Sequence, residues 1–458
     1  MIYYLYGAPA SGKTTLGQRL AASLGIDFID LDEAIVSRAH LSIPEIFDEG
    51  GEEMFRLLEG NEILIAACDI RAAKKDAVIA LGGGSLLRKE NREICEKTGV
   101  VFCLETPPDA ELARRLSANP ASRPLGNKAK ERAAHYASFP HRIAAWFDLG
   151  ESLVLVGENY APIFASDRPC VVDENISNLY RSTLNLQSPV FTIPSGEAHK
   201  TILTVASLWS AFAKAGLGRR DKVVAIGGGV TGDLTGFAAA TWMRGIGWIN
   251  IPTTLLSMVD ASTGGKTGCD LPEGKNLAGA FHAPKLVAID TDFLKTLPPE
   301  ILRQGKAEMI KHEIIGGRMR CGILASEIAE NLAVKVRIVK KDPFERNGKR
   351  ILLNCGHTIG HAVEKLSNYM LSHGECVAIG CVEEARYAVK RGLAPTAWPE
   401  ELAARFAAEG LPTALPEGIT WETLVPVMRG DKKREGNTVT FALPCGWGKV
   451  KTAVASFG

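Results

Sequence analysis

Unbroken apolar runs set the rhythm of the first half of the chain. Residues 2–6, 27–31, 77–81, 170–172 and 222–226 form five such segments, wholly apolar except for Asp27 and Asp30 in the second and Lys222 in the fifth, and each leads into a glycine or a carboxylate. Short continuous runs of this kind predict strands buried on both faces rather than half-exposed ones. Helical spacing follows two of them, at 15–24 and from Leu234 onward. Strand followed by helix, repeated, predicts an α/β class built on parallel sheet. Further on, Glu308 and Lys311 are three apart and His357 and His361 four apart, so each pair shares a helix face.

At 458 residues the chain is too long for a single core, and at about 150 residues per domain it should hold two to four. Hydrophobic residues make up 46% and charged residues 23%, the balance of a soluble globular protein. A net charge of +1 supplies no field that would favour nucleic acid or an anionic membrane. The N-terminal strand runs at once into a glycine-rich turn, which leaves no room for a signal peptide. The ten cysteines form no CxxC pair and read as reduced core thiols of a cytoplasmic protein.

The first run ends in Gly7-Ala-Pro-Ala-Ser-Gly12-Lys13-Thr14, a complete GxxxxGK[ST] phosphate loop between strand and helix. Backbone N–H groups of Ala10, Ser11, Gly12 and Thr15 would surround phosphate. Lys13 would bridge the β- and γ-phosphates, and Thr14 would bind Mg²⁺. The second run leads into Asp30-Leu-Asp32. Alternation on a strand would put both carboxylates on one side, Asp30 supporting Mg²⁺ through water and Asp32 receiving a substrate hydroxyl. Arg56 and the Gly82-Gly-Gly84 turn would suit a hydroxylated carboxylate.

In this order, phosphate loop, Asp-x-Asp, GEEMFR, GGG and Arg123-Pro-Leu, the first 148 or so residues resemble shikimate kinase. The resemblance implies ATP-dependent phosphorylation of the shikimate 3-hydroxyl. Asp32, Arg56, Gly83, Gly84 and Arg132 would hold shikimate, and Arg123 would be the lid arginine over ATP. The lid between Arg123 and Arg132 is shorter than the family's, and His135-Tyr136 stands where Pro/Leu-Tyr is usual. Gluconate kinase is the runner-up.

The fifth run enters Gly227-Gly-Gly229-Val-Thr-Gly232-Asp233, formally a GxGxxG turn between strand and helix. The acidic residue expected some 20 positions later is replaced by Arg244, and Asp173 could meet a ribose instead. Arg244, Lys266 and Lys275 carry more positive charge than nicotinamide needs, which points to an anionic substrate. Near the end, His357, His361 and His373 cluster in LLNCGHTIGHAVEKLSNYMLSHGE. With Glu308 they offer a His₂Glu set, an established catalytic zinc arrangement.

From about residue 165 onward the chain resembles 3-dehydroquinate synthase. SGEAHK, GGGVTGD, PTTLLSMVD, GGKTG, GKN, DTDFLKTLP, AEMIK, LNCGHTIGHAVE, HGE and MRGDKK occur in the family's order. By that resemblance Glu308, His357 and His373 bind Zn²⁺ or Co²⁺, and His361 faces substrate. NAD would lie among Asp173, Asn175, Ser195, Gly196, Glu197, Ala198, His199, Lys200, Gly229, Val230, Thr231, Gly232, Asp233, Thr253, Thr254, Lys266, Lys275, Phe293, Leu294, Lys295 and Thr296. A heptulosonate 7-phosphate would meet Arg244, Asp260, Lys266, Lys275, Asn276, Lys311, Lys335, Arg350, Asn354, His361 and Lys432. Lys13, Asp32, Lys266, Lys311, Arg350 and His361 are the expected catalytic groups. The stretch from Lys311 to Lys335 is shorter than the family's.

The expected architecture is therefore a phosphate-loop kinase domain at 1–149, an α/β NAD-binding part at 150–290 and a mainly α-helical metal and substrate part at 291–458. The expected partners are small molecules, with no nucleic acid and no membrane, and a homodimer through the second half. Two other readings make one half a degenerate regulatory module, or the second half a metal-dependent polyol dehydrogenase.

Overall fold

The structure is a computed structural model that describes residues 1–108, 126–180, 182–430 and 438–456. It divides into two compact units, Met1–Phe164 and Ala165–Gly458.

In the first unit, strand β1 (Ile2–Gly7) is buried along its whole length, as its unbroken apolar run requires. It leads to helix α1 (Lys13–Leu24), strand β2 (Asp27–Asp30), helices α2 (Leu31–Ala39) and α3 (Ile43–Ala72), and strand β3 (Ala77–Ala80). Helix α4 (Lys89–Thr98), strand β4 (Val100–Leu104), short helices α5 (Gly126–Glu131) and α6 (Ala133–Ala137), and strands β5 (His141–Asp148) and β6 (Leu153–Glu158) complete the unit. The strand order is β2-β3-β1-β4-β5-β6. All neighbours are parallel except β6, which runs antiparallel to β5. That pairing corrects the boundary expected at 149/150. The apolar run at 153–156 fills β6, and Phe164 stacks on Tyr3 at 5.7 Å between ring centres, so the unit continues to Phe164.

The second unit opens with β7 (Cys170–Asp173), α7 (Glu174–Tyr180), β8 (Val190–Ile193), α8 (Ile202–Lys214), β9 (Lys222–Gly227), α9 (Gly229–Thr241) and β10 (Gly247–Pro252). A hairpin, β11 (Lys266–Leu271) with β12 (Gly274–Phe281), precedes β13 (Leu286–Asp290). The parallel strands lie in the order β13-β10-β9-β7-β8. Successive strands are added to one side up to β8 and to the other from β9. The reversal falls between β7 and β9, where α/β sheets open a ligand crevice.

The remainder is mainly helical: α10 (Pro299–Gly316), α11 (Ala325–Lys341), α12 (His357–Leu366), α13 (His373–Lys390), α14 (Trp398–Ala407) and α15 (Trp421–Gly430), closed by the hairpin β14 (Thr438–Gly446) and β15 (Lys449–Ser456). Ile359, Val363, Ile379, Leu424, Phe441 and Leu443 form its buried core. Helix α10 departs from ordinary amphipathic design, because Glu308, Lys311, His312 and Glu313 are all buried. Among the described residues no helix is long and apolar enough to cross a membrane.

Candidate functional sites

In the first unit the phosphate loop joins β1 to α1, and the helix starts at Lys13 itself. Ala10 (φ 57°) and Gly12 (φ 97°) take left-handed conformations that turn the backbone of Ala10, Ser11 and Gly12 into a tight bend ahead of Thr14 and Thr15. The Lys13 Nζ donates to the carbonyls of Gly7 (3.0 Å) and Ala8 (2.8 Å). Burial lowers its pKa to about 8, although Asp32 and Asp30 pull the other way. Thr14 Oγ1 donates to Asp30 Oδ2 at 2.8 Å, so the two groups expected at Mg²⁺ already touch.

Asp32 differs from its expected setting. It lies in the first turn of α2, because the Asp30 carboxylate accepts the N–H groups of Asp32 (3.0 Å) and Glu33 (3.4 Å) and starts the helix. Its carboxylate still faces the triglycine turn: an added Cβ at Gly82 would lie 3.6 Å from Asp32 Oδ1. Arg56 and Arg132 converge on the same turn. A Cβ on Gly84 would sit 2.5 Å from Arg56 Nη2 and 3.1 Å from Arg132 Nη1, so a side chain there would push the Arg56 guanidinium away from the turn. Arg132 also donates to the Gly83 carbonyl at 3.2 Å. Arg123 lies outside the described residues.

The contacts of Glu59, Ser85 and Tyr136 here escaped the sequence reading. Glu59, fully buried, accepts from Arg56 Nη1 at 2.6 Å and from Ser85 Oγ, which aims Arg56 at the turn. Burial works against the Arg56 charge, but Glu59 and Glu52 outweigh it and raise its pKa. Tyr136 donates to the Gly83 carbonyl at 2.7 Å. The i,i+3 spacing of Arg56 and Glu59 was a usable signal; the Tyr136 contact spans 53 residues and had none.

In the second unit the helix behind the glycine turn begins five residues earlier than expected, at Gly229 rather than Leu234. Gly229, Val230, Thr231, Gly232 and Asp233 therefore form the first turn of α9, whose N–H groups and dipole suit an anion. Across the crevice, Asp173 Oδ1 accepts from Ser195 Oγ (2.8 Å) and the Asn175 N–H (2.9 Å), which brings those three together. Gly196, Glu197, Ala198 and His199 make the adjoining tight turn. Thr253 and Thr254 follow β10, the Thr253 N–H donating to the Gly227 carbonyl at 2.9 Å. Thr296 meets the Tyr180 hydroxyl at 2.6 Å, Phe293 and Leu294 are buried, and Lys295 points out to pair with Asp292.

Lys200 is buried and bound on two sides, by Asp233 (2.6 Å) and by Asn276 Oδ1 (2.6 Å). Lys275, at the start of β12, reaches Glu364 on α12 at 2.7 Å. Lys266 pairs with Glu345 and is half exposed. Within one chain Arg244 is not brought to this crevice. It follows the C-terminal end of α9, on the order of 20 Å from Gly229 at 1.5 Å rise per residue, because the helix carries it to the opposite edge of the sheet.

The metal candidates converge from three helices. Glu308 Oε1 lies 3.4 Å from His357 Nε2 and 3.3 Å from His373 Nε2. Ligands about 2.1 Å from a tetrahedral ion are separated by about 3.4 Å, so one ion fits all three. The His357 Nδ1–H donates to the Cys355 carbonyl at 3.1 Å, which leaves Nε2 with its lone pair towards Glu308. Burial, then the Lys311 charge, holds His357 well below its ordinary pKa and so neutral, as a ligand must be. Burial opposes the Glu308 charge, but the Lys311 ammonium more than offsets it and keeps the carboxylate ionised. In His373 the hydrogen bond and charge of Glu308 outweigh burial and raise the pKa. His361 stands beside the cluster, its ring 5.3 Å from that of His357 and 6.2 Å from that of His373.

Lys311 pairs with the second Glu308 oxygen and lies 3.8 Å from Asp260. Lys335 bonds the Asp260 carboxylate and, at 2.7 Å, its carbonyl, so the shorter segment before it still delivers Lys335 to this pocket. Arg350 is buried and held by the carbonyls of Gly264 and Pro343, both at 3.0 Å. Its hydrogen-bond partners are neutral, and Glu345, Asp260 and Asp342 act on its charge only through space, so the guanidinium can still receive an anion. Asn354 closes the short turn that carries Arg350. The Asp342 carboxylate, unremarked in the sequence, accepts four backbone N–H groups from Arg346 to Arg350 and so shapes that loop. Lys432 lies outside the described residues.

The comparisons with known proteins divide at the same place. Residues 9–145 match the shikimate kinase family, 190–304 the 3-dehydroquinate synthase N-terminal family and 305–434 the 3-dehydroquinate synthase C-terminal family. A 3-dehydroquinate synthase from Synechococcus sp. is 46% identical over 277 residues, covering 57% of this chain and 75% of the relative. One from Symbiobacterium thermophilum is 42% identical over 303 residues, 61% of this chain and 84% of the relative. Among solved structures, 2-epi-5-epi-valiolone synthase from Streptomyces hygroscopicus, with NAD⁺ and Zn²⁺ bound, aligns with a TM-score of 0.60 at 25% identity, covering 68% of this chain and 94% of its own. The chain belongs to the 3-dehydroquinate synthase family, with a shikimate kinase domain as its first unit.

Proposed function

We propose that one chain carries two activities: ATP-dependent phosphorylation of the shikimate 3-hydroxyl, and conversion of 3-deoxy-D-arabino-heptulosonate 7-phosphate to 3-dehydroquinate and phosphate. The observation that carries the second activity is the Glu308–His357–His373 triangle set against Lys311, Lys335 and Arg350. A plain polyol dehydrogenase has no use for that cationic lining. Zn²⁺ or Co²⁺ on the triangle would supply Lewis acidity at a substrate hydroxyl, and NAD would supply a hydride acceptor that is restored.

The chain's own residues do the rest. Arg350, Lys311 and Lys335 neutralise phosphate and carboxylate and hold a flexible substrate in one conformation. His361, on the metal helix but outside the triangle, faces the substrate. The first turn of α9 receives the pyrophosphate of NAD, with Asp173 at the ribose. In the first unit Lys13 and the loop N–H groups hold the triphosphate, and Thr14 and Asp30 place Mg²⁺. Arg56, Arg132 and the Gly83-Gly84 turn bind the shikimate carboxylate while Asp32 takes the hydroxyl. Phosphoryl transfer asks for little more than such positioning and charge neutralisation. We assign Met1–Phe164 to the kinase, 165–290 to NAD binding and 291–458 to metal and substrate, and we assign the protein to the cytoplasm as a homodimer through its second unit.

The test is a two-substrate assay on the whole chain. Lys13→Ala should abolish shikimate phosphorylation and leave phosphate release from the heptulosonate intact; a transition-metal chelator, used with Mg²⁺ in excess, should do the reverse. Either treatment silencing both activities refutes two independent sites.

A further inference from the structure

Glu384 is fully buried on α13, three turns beyond His373. Its Oε2 accepts the N–H of Gly356 at 2.7 Å, and its Oε1 accepts those of Thr358 at 3.1 Å and Ile359 at 3.2 Å. These are the N-cap, second and third positions of α12, the helix whose first residue is His357. A helix start leaves such donors without intrahelical partners, and an Asp or Ser at the N-cap normally satisfies them. Gly356 has no side chain to do so. A carboxylate from the neighbouring helix takes over the task.

The backbones come close enough for this because glycine stands at the crossing: a Cβ on Gly380 would lie 2.0 Å from the Gly356 carbonyl oxygen and 2.7 Å from the Gly360 nitrogen. His373 opens α13 and His357 opens α12. Their Nε2 atoms reach one Glu308 oxygen at 3.3 and 3.4 Å only while the start of α12 stays seated on α13. Glu384 is the polar tie that holds it there.

We infer that Glu384 is a positioning residue that sets the separation of His357 and His373, and through it the affinity and geometry of the metal site. This rests on reading Glu308, His357 and His373 as metal ligands. Glu384→Gln keeps the shape of the side chain but turns an N–H group against backbone N–H donors. Disturbing the groups behind metal ligands commonly weakens binding about 10–100-fold.

The experiment titrates Co²⁺ into the metal-stripped full-length protein and follows the visible d–d spectrum, with the melting temperature of the metal-free protein measured alongside. The expected result is tetrahedral Co²⁺ in the parent, and in Glu384→Gln at least about tenfold weaker binding with a changed spectrum. Unchanged affinity and spectrum overturn the inference, even if the melting temperature falls, because that pattern marks a purely structural role. Should the Gln variant fail to fold, Glu384→Asp, which keeps the charge on a shorter arm, is judged by the same two outcomes. A parent that takes up no Co²⁺ refutes the metal reading itself and is a separate result.

Discussion

The buried pair of Lys200 and Asp233 offers a test in which stability and pH must agree. Lys200 Nζ lies 2.6 Å from Asp233 Oδ2 and 2.6 Å from Asn276 Oδ1, linking the first turn of α9 to the β11–β12 hairpin. The pair is lopsided. Burial disfavours the Lys200 charge, but Asp233 and Glu197 more than offset it and raise its pKa; burial also raises the pKa of Asp233, with Lys200 opposing. Asp233 is thus ionised chiefly because Lys200 is present. Lys200→Met should strand a carboxylate, and breaking a buried pair from one side costs about 3–5 kcal/mol.

That loss carries a sign. With Lys200 gone, Asp233 is raised further above its unfolded value, so the folded state binds the extra proton. Stability in the variant is then retained below the unfolded pKa and falls as pH rises through the folded one, over a wider range than in the parent, where Lys200 holds the Asp233 shift down. The assay is urea unfolding of the NAD-free protein followed by tryptophan fluorescence at pH 5 and pH 8. Six of the seven tryptophans lie beyond residue 164, so the signal reports mainly on the second unit. Lys200→Met/Asp233→Asn should recover most of the loss at pH 8. A pH-independent loss, or no recovery in the double variant, refutes the reasoning.

Lys13 has a pKa of about 8 before nucleotide binds, so ATP affinity should fall as pH rises above 8 and binding at pH 8 should take up protons, measurable by calorimetry in buffers of different ionisation heat. His312, buried and bonded through Nδ1 to Asn331 at 2.7 Å, has its pKa lowered to about 4, burial being the largest cause and Lys311 the next. Its contribution is complete above the unfolded value of 6.5 and is lost as pH falls towards 4; at about 1.4 kcal/mol per pH unit the total is about 3 kcal/mol. His312→Asn should therefore flatten the acid side of the metal-free protein's stability profile, which urea unfolding from pH 4 to 7 will show. Gly380→Ala should push α12 off α13 and cost about 1–3 kcal/mol, with loss of bound zinc by metal analysis at a temperature where the protein stays folded.

What was legible in the sequence was chemistry carried by short spacings. The phosphate loop needs only eight consecutive residues between a strand and a helix, and those elements formed where the apolar runs placed them. The histidines were visible for the same reason, four apart on α12 and at the start of the next helix. Spacing alone could not decide which of His357, His361 and His373 share an ion. Glu308 precedes His357 by 49 residues, and only the packing of α10 against the α12–α13 pair brings it within 3.4 Å. Asp32 was misplaced because the Asp30 side chain could end a strand or begin a helix, and the cap won.

The acids show most plainly why the remainder stayed hidden. Glu59, Glu308 and Glu384 are equally buried, yet a string of letters presents each as one more glutamate of a helix surface. Burying a carboxylate is tolerable only when a partner answers its charge, and here the partners are of three kinds: the Arg56 guanidinium, the Lys311 ammonium with the His373 imidazole, and three backbone N–H groups. The first lies on the same helix turn and could have been guessed. The second required an independent reason to look for a metal. The third has no sequence signature at all, since every residue except proline carries an N–H. Charged groups that organise a site through the backbone become visible only when the chain is folded, and for that reason Glu384 emerged from the structure and not from the motif that begins eleven residues before it.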